Sequence, residues 1–268
     1  MFTGLSAFPL TPTDEQGIDE AAFVGLVERL VTAGVDSIAP LGSTGNYAYF
    51  SRAERARVVQ LAVEAAGSVP VLVSVGAVRT RDVLELASDA VAAGASAVLL
   101  APVSYQPLTD DEVFGLYEDV TRELGVPLVV YDNPATTKFA FSAELFARVA
   151  ALPNVAALKT SADKVGSLLD LGLTVGVAGD EFAASGLAAG ASVWFSVLGG
   201  LFPELALRIM RGEAGDLEPL WVLFRHYGSL RVVAGMAAAL GLTGPVNLPR
   251  PLRAVPREEL GAALAVCS

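Results

Sequence analysis

AGASAVLLAP, residues Ala93–Pro102, joins an Ala-Gly step of the kind that ends a helix to an apolar run of strand length. The same order recurs in AGVDSIAPL from Ala33 and in AGASVWFSV from Ala189, at spacings near multiples of one strand-helix unit. Working outward, runs rich in Val, Leu and Ile predict strands at Leu5–Leu10, Ser37–Leu41, Val71–Val75, Ala97–Ala101, Leu128–Tyr131, Ala156–Lys159, Thr174–Ala178 and Val193–Val197. Between them, segments such as DEAAFVGLVERLVTAG and TRDVLELASDAVAAG have i, i+3, i+4 apolar spacing, acidic starts and Gly ends. Strands that are apolar on both faces, each followed by a helix, describe a parallel sheet covered by helices. Eight such units fit before residue 214, the count that closes a barrel, whereas a doubly wound open sheet needs fewer strands. The expected fold is therefore α/β, a (β/α)8 TIM barrel over residues 1–213. A helical extension over 214–268 follows, packed on the barrel or at a subunit interface. In it, EPLWVLFRHYGSLRVVAGMAAALG and PREELGAALAVC read as helices joined by the Pro-rich TGPVNLPRPLRAVP.

Composition narrows the function. With 53% hydrophobic and 18% charged residues, the 268-residue chain can bury a large core and has no disordered signature. A net charge of −11 without any Lys/Arg cluster argues against nucleic-acid binding. Apolar runs such as VPVLVSVGAV are broken well before the roughly 18 residues a membrane span needs, and MFTGLSAFPLTP lacks a basic region followed by an apolar one, so a cytoplasmic protein is expected. The single cysteine, Cys267, has no cysteine partner, and the single histidine, His226, falls in the extension. A Ser-His-Asp triad or a His-ligated metal at the barrel mouth is excluded on inventory.

In such a barrel the chemistry sits where strands end and βα loops begin. Three of those ends carry reactive groups: GSTGN (Gly42–Asn46), YDNP (Tyr131–Pro134) and LKTS (Leu158–Ser161). Lys159 is the sharpest signal. Only three of the 18 basic residues are lysines, Lys138, Lys159 and Lys164, and position 159 is one where arginine was not used. An amine can lose its proton and attack a carbonyl, which a guanidinium cannot. At the end of an apolar strand it is partly desolvated, which lowers its pKa and supplies free amine. Lys138 and Lys164 end no apolar strand and read as solvated side chains. Tyr131 closes the preceding strand, so its phenol and the Lys159 amine can meet across neighbouring strands and exchange protons with a carbinolamine. In GSTGN the glycines permit a tight loop whose amides and hydroxyls, Ser43 and Thr44, converge on an anion, although an ordinary turn would look the same. Of the strand-end acids Asp132, Asp163, Asp180 and Glu181, the last two read as the acidic first turn of a helix rather than a metal pair or an acid-base dyad.

These residues resemble the dihydrodipicolinate synthase/N-acetylneuraminate lyase family of class I, pyruvate-dependent aldolases. The similarity runs through MFTG and LTPTDEQG, GSTGN, PVSYQP, VYDNP, ALKTSAD, VAGDE and LGLTGPVNLPRPLRAVP, in that order. The resemblance implies that Lys159 forms an imine with pyruvate or another 2-oxo acid. It makes Tyr131 the proton shuttle, Ser43 and Thr44 its hydroxyl partners, and the loop from Gly42 the holder of the carboxylate. Gly179 and Val193 would line the pyruvate pocket. No metal or organic cofactor is implied, and a homo-oligomer, tetramer or dimer, is. A second relay tyrosine, lent by a neighbouring subunit in that family, aligns with Ser104, with Tyr105 one place later. Where dihydrodipicolinate synthases carry an arginine for the second substrate's carboxylate this chain has Thr136, and the family's Glu after the loop is Asn46.

The departures make carbon-carbon cleavage or condensation of a 2-oxo acid, such as a 2-keto-3-deoxy sugar acid, the leading expectation, with an aldehyde as the other partner. The alternatives are 4-hydroxy-tetrahydrodipicolinate synthase, joining pyruvate to aspartate semialdehyde, a dehydratase of the same family, or a non-catalytic barrel that binds a 2-oxo acid.

Overall fold

The computed structural model describes residues 2–213 and 215–267; Met1, Ala214 and Ser268 lie outside the described residues, Ala214 at the expected junction of barrel and extension. The strands are β1 (Gly4–Ala7), β2 (Thr13–Asp14), β3 (Gly17–Ile18), β4 (Ser37–Ile38), β5 (Leu72–Ser74), β6 (Ala97–Leu100), β7 (Leu128–Tyr131), β8 (Val155–Ser161), β9 (Thr174–Ala178) and β10 (Val193–Ser196). The helices are α1 (Glu20–Ala33), α2 (Arg52–Ala66), α3 (Thr80–Ala92), α4 (Asp110–Glu123), α5 (Pro134–Thr137), α6 (Ala143–Ala150), α7 (Ala162–Leu168), α8 (Ala183–Ala188), α9 (Pro203–Met210), α10 (Glu218–Tyr227), α11 (Ser229–Ala239) and α12 (Gly261–Cys267).

Eight strands form one parallel sheet in the order β4-β1-β10-β9-β8-β7-β6-β5. A bridge between Ile38 and Val71, with the Ile38 N–H donating to the Pro70 carbonyl at 3.0 Å, joins the two ends and closes the (β/α)8 barrel. The Ala-Gly repeats act as read: Gly34, Gly94 and Gly190 all have positive φ (78°, 96° and 109°), ending a helix before the chain turns into a strand. Helix starts are fixed by side chains. Ser51 with Glu54 and Thr109 with Glu112 form capping boxes at α2 and α4.

The differences from expectation have local causes. β1 stops at Ala7 and β4 at Ile38, because Pro9 and Pro40 lack the N–H that would continue each ladder. Beyond them Phe8 turns into the barrel interior, and Leu41 adopts φ 58°. β8 runs two residues past Lys159 to Ser161. The antiparallel pair β2–β3 was not anticipated. In the extension, Gly228 (φ 80°, ψ 143°) divides α10 from α11. Helix α10 packs on the barrel mouth, where Phe224 and Arg225 face the same cavity as Lys159. Among the described residues no helix is long and apolar enough to cross a membrane.

Alternation along each strand sorts the core in two. Leu128, Val130 and Leu158 join the layer between sheet and helices. Val129, Ala157, Val193 and Phe195 fill the barrel interior with Phe8, Leu72 and Leu99, and Tyr131 packs against them. Inward positions therefore fall at 129 and 131 on β7 and at 157 and 159 on β8, so the period of two aims Lys159 down the barrel axis. Register completes the placement: Tyr131, Lys159 and Gly176 are partners on adjacent strands. Gly176 leaves the space that Phe195 occupies, since a Cβ there would lie 2.3 Å from the Phe195 ring and 2.4 Å from Val193 Cγ1. Gly176→Ala is therefore expected to cost about 1–3 kcal/mol by overpacking and to lower Tm by several degrees in a calorimetric melt. An unchanged melt would contradict this account of the interior.

Candidate active site

Lys159 is 4% exposed, and its Nζ lies 3.8 Å from the Tyr131 ring centroid, 4.1 Å from that of Phe8 and 6.0 Å from that of Phe195. Burial takes the amine from its usual 10.5 down to about 7, with the charge of Asp180 pulling the other way. The ring faces favour the ammonium by about 0.5–2 kcal/mol, less than the several kcal/mol of hydration an ion loses on burial. Desolvation wins, and free amine is present at neutral pH.

The Tyr131 phenol is pushed well above its ordinary value, mainly by burial. The neighbouring Ser43 hydroxyl favours its ionised form, while Tyr47, Asp180 and Asp132 oppose it. Tyr131 thus keeps its proton unless another group supplies or takes one in the same step. The Gly42–Asn46 loop is tightly specified. A Cβ on Gly42 would lie 2.5 Å from the Phe8 ring, and one on Gly45 would lie 2.6 Å from the Leu41 nitrogen. Asn46 sits at φ 60°, a conformation asparagine tolerates better than glutamate, and its buried amide donates to the Thr11 carbonyl at 3.2 Å. Thr44 is buried on the cavity wall and has no hydrogen-bond partner among the described residues, which leaves its N–H and hydroxyl free for a ligand.

Two acids support the lysine. Asp180 opens a short 3-10 turn, as its acidic-first-turn reading anticipated, but its carboxyl points inward and is buried. There it accepts from Ser196 Oγ at 2.7 Å and from the Leu198 and Val197 amides. Burial raises its pKa, and these hydrogen bonds and Lys159 oppose the rise. Asp132 is held by Lys164 Nζ at 2.6 Å and by Thr160 Oγ at 3.1 Å, while its N–H donates to the Lys159 carbonyl at 3.0 Å. Lys164 is therefore a partner of Asp132 rather than a merely solvated chain.

These groups border a cavity of about 480 Å³ at the C-terminal ends of the strands. Of the residues expected to serve substrate, Lys159, Tyr131, Ser43, Thr44, Thr136 and Gly179 lie on its wall. Gly179 has φ 89°, open to glycine. Two others do not reach it. Gly42 lies behind the wall, where it makes room for Phe8. Val193 is one pleat repeat too deep in the barrel, and Phe195, two residues on along the same inward face, takes the wall position. Tyr105, 89% exposed, and Ser104 lie off the wall of their own protomer, as expected of a position that serves a neighbouring subunit's site. Sequence reading missed the aromatic walls Phe8 and Phe195 and the α10 residues Phe224 and Arg225. Phe195 alternates with Val193 and was within reach of the strand pattern, whereas nothing local marks α10 as covering the mouth. Arg225 donates to both Glu181 and Glu218 there.

Asp180 favours the ammonium, so Asp180→Asn is expected to lower the pKa of Lys159 further. Acylation of Lys159 by a small reagent, followed by peptide mass spectrometry across pH 5–9, should reach half its maximal rate at a lower pH in the variant than in the parent. A shift to higher pH would contradict the assigned electrostatics.

The comparisons with known proteins agree with this geometry. The model of the dihydrodipicolinate synthetase family matches residues 1–226. The 4-hydroxy-tetrahydrodipicolinate synthase of Hyphomonas neptunium is 34% identical over 228 residues, spanning 81% of this chain and 78% of its own. The enzyme of the same name from Sorangium cellulosum is 32% identical across 98% of this chain and 94% of its own. Among solved structures, the dihydrodipicolinate synthase of Agrobacterium tumefaciens has a TM-score of 0.93 and 41% identity, covering 100% of this chain and 98% of that one. Similarity of that extent, in sequence and in backbone alike, makes this chain a member of the dihydrodipicolinate synthetase family and an enzyme of the lyase and aldolase class.

Proposed function

We propose that Lys159 forms an imine with pyruvate and that the resulting enamine adds to an aldehyde, or is released by the reverse cleavage. The observation that carries this reading is the nearly buried amine with a pKa of about 7 stacked on the Tyr131 ring. The free amine adds to C2 of the keto acid to give a carbinolamine. Tyr131 gives a proton to the departing hydroxyl, water leaves, and the iminium makes C2 an electron sink, so that a C3 proton can be lost. The enamine carbon then attacks the aldehyde carbonyl. Thr44 and its N–H, with Ser43 beside it, are the donors available to the pyruvate carboxylate. The covalent imine supplies the activation that a cofactor would otherwise provide. A cytoplasmic homo-oligomer is the expected form.

For the acceptor, the names of the relatives weigh towards 4-hydroxy-tetrahydrodipicolinate synthase, hence aspartate semialdehyde. That reading ranks above cleavage of a 2-keto-3-deoxy sugar acid. One observation keeps the second in play: at the outer wall Thr136 accepts a hydrogen bond from Asn133, and Arg225 is already paired with two carboxylates, so among the described residues no unpaired side-chain cation faces an acceptor's carboxylate there.

Borohydride reduction in the presence of pyruvate is expected to add one pyruvate-sized adduct, which peptide mass spectrometry places on Lys159, and Lys159→Ala should gain none. No adduct, or an adduct on Lys164, would sink the imine. Trapping without turnover of aspartate semialdehyde or of any 2-keto-3-deoxy acid would leave a binding protein instead of an enzyme at this site.

A further inference from the structure

The two acids that open the turn after β9 part company. Asp180 turns inward, where its charge acts on Lys159, whereas Glu181 stands on the wall of the same cavity beside the neighbouring helix. Glu181 Oε1 accepts from one Nη of Arg225, in the last turn of α10, and Arg225 is also on the wall. Glu218, in the first turn of α10, accepts from the other Nη and is off the wall, so it grips the guanidinium from behind. Among the described residues Arg225 and Lys159 are the only cations that border the cavity. Lys159 is 4% exposed, and the Arg225 and Glu181 side chains are 47% and 25% exposed, so the amine lies at the bottom of the site and this pair nearer solvent.

Their mutual contact exhausts neither group. Arg225 donates once from each Nη, so its Nε–H and the second hydrogen of each Nη have no partner among the described residues, and neither has Glu181 Oε2. Partly exposed ion pairs of this kind contribute little to stability, so a ligand that competes for them is opposed only weakly. The two charges stand side by side with opposite sign, which matches a zwitterion. A carboxylate fits the fork of a guanidinium, and an ammonium donates to a carboxylate oxygen. A neutral polyol would gain no charge-charge contact here. A lone carboxylate would gain Arg225 but meet the repulsion of Glu181 and Glu218.

We propose that Arg225 and Glu181 are the specificity-determining pair of the acceptor site, which takes an aldehyde bearing an α-amino-acid head, its carboxylate on Arg225 and its ammonium on Glu181. The pair takes over a task that Thr136, an uncharged residue hydrogen-bonded to Asn133, cannot perform. This role rests on the imine reading above. Arg225 and Glu181 hold the far end of the acceptor, while Lys159 carries the enamine that attacks its carbonyl.

Three aldehydes separate the contacts: aspartate semialdehyde has both charged groups, succinic semialdehyde lacks only the ammonium, and glyceraldehyde has neither. With pyruvate saturating, kcat/KM is measured for each in the parent, Arg225→Gln and Glu181→Gln, and borohydride trapping of pyruvate on Lys159 is run on the same samples. The parent should prefer aspartate semialdehyde to both others. Glu181→Gln should lower the ratio of aspartate to succinic semialdehyde about tenfold or more, and Arg225→Gln the ratio of aspartate semialdehyde to glyceraldehyde about tenfold or more, as expected for loss of a charged hydrogen bond. Ratios taken within one variant cancel any loss of folded protein. Equal losses on all three aldehydes in both variants would make the pair a brace for α10 and overturn the proposal. So would a parent that prefers succinic semialdehyde or glyceraldehyde, or that consumes none of the three. A parent that traps no pyruvate refutes the imine and the pair together, whereas normal trapping with any of the preceding results refutes the pair alone.

Discussion

Everything at the mouth of this barrel depends on holding one amine out of water without giving it a full counter-ion. A lysine at an inward position of β8 is covered by Phe8, Tyr131 and Phe195, and the carboxylate whose charge acts on it, Asp180, is tied up by Ser196 and two amides. A free, exposed carboxylate beside Nζ would hold the ammonium and remove the nucleophile; no acid at all would leave the buried charge unsupported at low pH. The structure takes an intermediate course. Asp180 is close enough to matter and bonded enough to be only a partial partner, and the amine titrates near neutrality.

The barrel interior serves that arrangement. Gly176 opposes Lys159 on β9 and so admits Phe195; Gly42 opens the loop after β4 and so admits Phe8. Two glycines thus make room for two of the three aromatic walls, and the third, Tyr131, is placed by the β7–β8 register. The strained residues cluster where this happens. Leu41 and Asn46 bracket the GSTGN loop at φ 58° and 60°, a conformation that costs about 1–3 kcal/mol at such residues and that their burial holds in place.

Much of this could be read from the sequence because it is local or periodic. The strand count, the glycines that end helices and the meeting of Tyr131 with Lys159 all follow from repeats of two and of one strand-helix unit, and the structure has each of them. What escaped depends on contacts between distant parts of the chain. The acidic first turn at Asp180 was visible, but not that its carboxyl would turn inward towards a serine 16 residues away. Val193 was placed on the wall by motif alignment, whereas the barrel's depth gives that position to Phe195. Arg225 lies 44 residues beyond its partner Glu181, and no local pattern brings α10 across the mouth.

The central claim is that burial, only partly offset by Asp180, sets Lys159 near neutrality, and the amine's own titration tests it most directly. The chain has only three lysines, so protein labelled with 13C at the lysine ε-carbons gives three signals, of which the one missing from Lys159→Met is assigned. The account predicts that this signal titrates at a pH of about 7 in the ligand-free protein. A midpoint near 10.5, the ordinary value for a solvated lysine, would contradict it.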